Sequence, residues 1–308
     1  MSEVFSADIV AARDSNRSLS GPWRRPTNLL IEQTYNSGAS IHDDATAQKL
    51  GFRGGTIEGP THFSQLAPLL YQLWGTAWFE TGTISANYRS PSYEGEAVRA
   101  FAAPMGNEGA DVAVKKEDGT VVLEGGASIG SGDYPSAVYS KLKRSVPLVS
   151  ARILAGAQVG MRTSSRPVMM GFDDHFGALY PFTLRQKLQV ITEPSSWYEE
   201  GALTPWGRPL MPVEMISVLC QHVALEDPFP VSQPVIGLFA DQEIKILAGP
   251  LFPNEEYGLE RELIALTETP RTECMWIRSR LTREGVVVAE ATLNQAFLKA
   301  SSPLYQDG

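Results

Sequence analysis

Two stretches far apart in the chain read almost alike. Lys116-Glu117-Asp118-Gly119-Thr120-Val121-Val122-Leu123-Glu124 and Thr282-Arg283-Glu284-Gly285-Val286-Val287-Val288-Ala289-Glu290 place Gly, Val and Glu at matching positions. Each sets a Gly-bearing polar turn before a β-branched run. That is a hairpin signature, because Gly tolerates the positive φ of a tight turn. The surrounding elements repeat too. In the first half a strand is expected over 28–35 and a short helix over 42–50, with Ser40 available as its N-cap. Pro60 then opens a helix whose apolar stripe is Phe63, Leu66, Leu69, Leu70, Leu73 and Trp74, interrupted by Pro68. Strand signals follow at 83–89, 97–104, 110–116 and 121–129. The second half predicts a strand over 183–192, a Gly/Pro entry at 206–212, and a helix striped by Met215, Val218, Leu219 and Val223. Its later strands fall at 236–247, 257–268, 272–282 and 286–298. Matching order over the whole length points to an internal duplication of one helix-and-antiparallel-sheet unit, an α+β fold.

A chain of 308 residues has room for two such units. Apolar residues at 43% provide a core for each, and charged residues at 20% argue against disorder. Lys and Arg number 26 against 35 Asp and Glu, a formal charge of −9. A general nucleic-acid binder needs the opposite balance, so no nucleic-acid partner is expected. No stretch approaches the roughly 18 apolar residues that cross a bilayer, and residues 1–22 lack the apolar run of a secretory signal. The expectation is a cytoplasmic protein with no membrane partner. Cys220 and Cys274 have no metal-ligand spacing and read as reduced core thiols, and no metal site is expected.

The expected boundaries are a first unit over 1–135, a basic crossover over 136–180 and a second unit over 181–308. The stretch 134–172 holds Lys141, Lys143, Arg144, Arg152, Arg162 and Arg166 with no Asp or Glu. It reads either as a solvated crossover or as an edge facing phosphate, which Lys and Arg pair well.

The chemistry-bearing stretch is Tyr35-Asn36-Ser37-Gly38-Ala39-Ser40-Ile41-His42-Asp43-Asp44, then Leu50-Gly51-Phe52-Arg53-Gly54-Gly55-Thr56-Ile57-Glu58-Gly59-Pro60-Thr61. Imidazole titrates near neutrality, so His42 can move a proton, or it can serve only as a cap or hydrogen-bond partner. Gly59 precedes the long helix, whose free N–H groups and dipole favour developing negative charge. A base beside such a turn suits chemistry next to a carbonyl. Asp43 and Asp44 are first-turn residues or the source of a carboxylate.

These residues resemble a known family. Ser40-Ile41-His42-Asp43-Asp44, Gly51-Phe52-Arg53-Gly54 and Gly59-Pro60 are similar to the hydratase element of the MaoC-like hotdog enzymes, which include (R)-specific enoyl-CoA hydratases and double-hotdog relatives. Ser195-Ser196-Trp197-Tyr198-Glu199-Glu200 with Pro205-Trp206-Gly207-Arg208-Pro209 resembles the same element without its His. The resemblance implies a double hotdog, each long helix wrapped by a curved antiparallel sheet. It implies His42 as acid/base and Gly59 N–H as oxyanion donor. The family's catalytic Asp position falls on Ser37, and Glu58 stands where many relatives carry a second His. A hydroxyl at Ser37 can still hold water, and Asp43, Asp44 or Glu58 can replace the carboxylate.

The implied function is a hydro-lyase on a 2-enoyl or 3-hydroxyacyl thioester, with CoA only as part of the substrate and no separate cofactor. A lyase on a non-CoA small molecule, a hotdog thioesterase and a non-catalytic acyl binder are the alternatives. Candidate substrate contacts are Thr61, His62, Trp74, Tyr198 and Arg144. For His62 a capping role competes, and for Trp74 and Tyr198 plain core packing. His222 reads as a core His, and Asp173-Asp174-His175 as neighbours that point apart. One chain can act as a monomer or pair further into a homodimer.

Overall fold

The computed structural model of the protein describes residues 4–12, 17–35, 38–130 and 135–306. One antiparallel twelve-stranded sheet carries both units. Its order is Val10–Ala11, Leu19–Arg24, Val98–Met105, Gly109–Lys116, Val121–Ser128, Thr83–Tyr88, Gly237–Ile246, Val286–Leu298, Thr272–Arg283, Tyr257–Glu268, Arg166–Val168, with Val146–Pro147 also pairing Tyr257–Glu268. Read outward from the middle, the second unit repeats the first. The seam is the pair Thr83–Tyr88 and Gly237–Ile246, with Thr83 opposite Lys245 and Asn87 opposite Asp241. Asp241 is fully buried there and accepts from Asn87 Nδ2, Asn294 Nδ2 and Lys141 Nζ, each at 2.7 Å. The two expected hairpins turn at Gly119 (φ 85°) and Gly285 (φ 80°).

The helices are α1 (Asp44–Lys49), α2 (Thr61–Trp74), α3 (Ala77–Thr81), α4 (Ala137–Leu142), α5 (Leu184–Val190) and α6 (Val213–Gln221). Helices α2 and α6 occupy equivalent places in the two units and pack on each other as well as on the sheet. Phe63, Leu66 and Leu70 of α2 join Met215, Val218 and Leu219 of α6 in one apolar cluster with Ile84, Val98, Ile244 and Leu259. Each such side chain contributes about 1.5–3 kcal/mol on burial. Helix α2 runs on through buried Pro68. No helix among the described residues is long and apolar enough to cross a membrane.

Three local expectations are corrected. Residues 28–35 are mostly turn, because Asn28 Oδ1 accepts from Leu30 N (3.0 Å) and bends the chain, leaving only Thr34–Tyr35 extended. The first long strand is Leu19–Arg24. There Pro22 sits where the register shifts between Ser20 and Trp23, so its missing N–H breaks no regular ladder. Within 183–192 the chain forms α5 (Leu184–Val190) instead of a strand, Thr183 alone ending the short strand Tyr180–Thr183. Thr183 accepts from Gln186 N while the Gln186 side chain accepts from Thr183 N, a capping box that outweighs the β-branched flanks. Helix α1 is capped by Asp43, whose Oδ1 accepts from Thr46 N (2.8 Å). Ser40 instead accepts from His42 N (3.1 Å).

Half of the crossover's named cations pair with acids of the second unit, while Lys143 and Arg144 are exposed. Lys141 pairs with Asp241, Arg162 with Glu260 and Glu262, and Arg166 with Glu226, while Arg152 donates to Leu304 O. Part of the basic run is thus counter-charge to an acidic neighbour.

Candidate active site

A cavity of about 790 Å³ opens between the units. Its first wall comes from the turn before α1, from 56–59 and His62, and from 88–92. Its second comes from the second unit's 237–240 and 267–272, together with Asn294, Leu298 and Lys299. The sequence locates the first wall and is silent on the second, because residues near 270 meet residues near 42 only after the sheet has joined.

His42 lies in the turn just before α1, 8% exposed. Two backbone segments hold it. Thr56 N donates to Ile41 O (3.0 Å), and Gly55 N donates to Asp44 Oδ1 (2.6 Å). A Cβ at Gly55 would stand 2.2 Å from His42 O, so only glycine lets the segments lie this close. His42 Nδ1 is 2.6 Å from Thr56 O. A carbonyl can only accept, so Nδ1 carries the proton and Nε2 keeps its lone pair. Nε2 has no partner among the described residues. Burial lowers the imidazole pKa to about 4, against the raising effect of the Thr56 bond, so the ring is neutral at pH 7.

Gly59 also lines the cavity, at the amino end of α2. Its N–H makes no hydrogen bond among the described residues, while Thr61, His62 and Phe63 N–H bond back to the turn. The Tyr88 ring lies so close that a Cβ on Gly59 would stand 2.5 Å from it. Tyr88 cannot withdraw freely, since its OH donates to Gln242 Oε1 (3.1 Å) across the seam. Gly59→Ala is therefore expected to destabilise the fold by about 1–3 kcal/mol through overpacking. Urea denaturation measures this, and a variant indistinguishable from wild type would show that the contact is slack.

Glu58 lines the same cavity and is 9% exposed. Burial is the largest influence on it and raises its pKa to about 7, opposed by Lys187 and by the Tyr180 hydroxyl, which donates to Oε1 (3.1 Å). Behind it runs a buried polar chain between α2, α5 and α6. Lys187 Nζ pairs with Glu214 Oε2 (2.8 Å) and donates to Thr61 Oγ1 (3.2 Å), and Ser64 Oγ donates to Glu214 Oε1 (2.5 Å). His62 is in the cavity wall, but both its nitrogens are engaged, with Ser92 Oγ (2.9 Å) and Gln65 Oε1 (3.4 Å). Among the described residues only His42 combines a place in this wall with a free ring nitrogen.

The other sequence candidates sit elsewhere. Ser37 lies outside the described residues. Asp43 does not line the cavity, and its carboxylate is committed to capping α1. Thr61 faces Lys187. Trp74 is at the far end of α2, its indole N–H donating to Asn107 O (3.0 Å), and Tyr198 is core, edge-on to Phe5. Arg144 is exposed and outside the cavity lining. These departures share a cause: helical spacing says which residues share a face, not which end of the helix the cavity reaches. Residues near 173–175 make no metal cluster, since Asp173 pairs with Arg185, and His222 hydrogen-bonds back to Val218 and Leu219 O. Lys49 and Arg271, exposed cations from opposite walls, and Lys299, which is paired with Glu268, also line the cavity, and no motif marks them.

No protein-family model matches the chain, and no curated protein sequence matches it significantly. Solved structures do. A protein assigned as a MaoC domain dehydratase, from Chloroflexus aurantiacus J-10-fl, superposes with a TM-score of 0.54 at 13% identity, covering 96% of this chain and 95% of that one. A conserved hypothetical protein from Mycobacterium tuberculosis, described as a double hotdog, superposes at 0.59 with 9% identity, covering 90% and 94%. The chain is a double hotdog, and its likeness to MaoC-like proteins is established as one of fold.

Proposed function

We propose that the protein is a hydro-lyase that adds water to, or removes it from, an acyl thioester. The observation that carries this reading is a neutral, buried His42 with its Nε2 free, sharing one cavity with the unbonded N–H of Gly59. In the hydration direction water attacks C3 of a 2-enoyl thioester while His42 Nε2 takes the water proton. The C2=C3 electron pair moves toward the thioester carbonyl, and the negative charge on its oxygen meets Gly59 N–H at the positive end of α2. C2 then takes a proton from the Glu58 carboxyl, which regains one from the His42 imidazolium through solvent. The net change is addition of one water, and dehydration runs the steps backward. The cations Lys49, Arg271 and Lys299 at the cavity support an anionic handle such as the CoA phosphates.

The assay is loss of enoyl absorbance with crotonyl-CoA and longer trans-2-enoyl-CoA substrates, with free thiol followed in parallel. Thiol release without loss of the enoyl signal would make the protein a thioesterase instead. The pH profile gives a second check. His42 must be neutral, so kcat/KM falls as pH drops through about 4. Glu58 must be protonated, so it falls again as pH rises through about 7. Glu58→Gln is expected to lower the plateau and abolish the alkaline limb; an unaltered limb would remove Glu58 from the mechanism.

A further inference from the structure

A second cavity of about 310 Å³, lined mainly by the second unit, adjoins the first but does not include His42, Glu58 or Gly59. Its lining is apolar over Leu179, Phe229, Met275, Ile277 and Phe297, yet it includes Arg261, which is 3% exposed. Two other buried charges are matched: Lys187 pairs with Glu214, and buried Glu193 receives Arg24 Nε and Nη2. Arg261 has no carboxylate within ion-pair distance among the described residues. Its guanidinium donates to Asp227 O and lies over the Phe229 ring (5.4 Å), and its backbone N–H is taken by Thr163 Oγ1 (3.0 Å). A guanidinium offers five donors in a fork that matches a carboxylate, so the Asp227 carbonyl leaves most of that capacity unused. A buried cation left this way is costly, and an anion supplied from outside would relieve the cost.

We propose that this cavity binds the carboxylate of an aliphatic acid, anchored by Arg261, with its chain enclosed by Phe229, Met275, Ile277 and Phe297. The neighbouring charges agree. Arg166 acts on Arg261 with the same sign, and burial with Arg166 lowers the Arg261 pKa, while Asp227 opposes them only through space. Among the described residues the acid paired with Arg166 is Glu226, at the surface. An aliphatic carboxylate can arrive as a free acid. It can also be the far end of a dicarboxylic acyl chain held in the main cavity, because the two cavities share Gln33, Gly237 and Phe239 in their walls.

Calorimetric titration of the full chain with octanoate and with suberyl-CoA separates these sources. At least one of them is expected to bind saturably and to weaken about tenfold or more in Arg261→Gln. Loss for octanoate names the free acid, and loss for suberyl-CoA names the distal carboxylate. Comparison of octanoate with methyl octanoate, and of suberyl-CoA with octanoyl-CoA, needs no variant and keeps the test decisive if Arg261→Gln does not fold. Equal affinity with and without the carboxylate in both pairs would overturn the proposal, as would absence of binding by either acid.

Discussion

Replacement of His42 by alanine is expected to lower kcat for enoyl-CoA hydration by about 100- to 10,000-fold, the range for losing a positioned acid/base group. The fold should survive. The side chain makes one short hydrogen bond, to Thr56 O, and leaving that carbonyl unpaired costs about 1–3 kcal/mol. Thr56 N still bonds Ile41 O, and Gly55 N still bonds Asp44, so the turn keeps its backbone ties. His42→Gln sharpens the test, because an amide can donate to Thr56 O yet cannot take a proton from water. Both variants should be equally inactive, with Gln the closer of the two to wild-type stability. Retention of wild-type kcat by either would remove His42 from the chemistry and leave the cavity as a binding site.

The largest effect on stability is expected at Lys187. It and Glu214 are 5% and 3% exposed at their side chains, and their pair ties α5 to α6. Lys187→Met strands the Glu214 carboxylate with only Ser64 as donor, and breaking a buried pair from one side costs about 3–5 kcal/mol. Adding Glu214→Gln removes the stranded charge, so the double variant should recover much of the loss in urea denaturation. A single variant within about 1 kcal/mol of wild type would mean that water reaches the pair. The same substitution reports on the active site. Lys187 lowers the Glu58 pKa through space, so its removal should move the alkaline limb of the pH profile upward.

Much of the architecture was legible because it rests on local physics. The hairpins at Gly119 and Gly285 announce themselves through turn chemistry and flanking β-branched residues, and the strands 257–268 and 286–298 fall where the pattern puts them. The helix opened by Pro60 is equally plain, since an apolar stripe at helical spacing has one economical way to be buried. The failures came where competing signals were weaker. Leu19–Arg24 hid behind Ser20, Gly21 and Pro22, and is a strand because the edge of the sheet and Arg99, which donates to Gly21 O (2.7 Å), hold it there. For α5 the Thr183–Gln186 capping box prevails over Val190, Ile191 and Thr192, whose β-branched run reads as a strand.

For the site the division is sharper. The sequence by itself determined His42, the glycines that let the chain fold tightly round it, and the helix start at Gly59, all within one short stretch whose geometry is set by its own backbone. The tertiary structure alone decided that Nε2, not Nδ1, is the free nitrogen. It also decided that Glu58 joins His42 in the cavity while Asp43 turns away to a cap, and that the opposite wall comes from residues 237–240 and 267–272. It alone set Arg261 in the smaller cavity with no carboxylate at ion-pair distance among the described residues. Those outcomes depend on burial and on contacts between residues far apart in the chain, and neither quantity exists until the two units have joined.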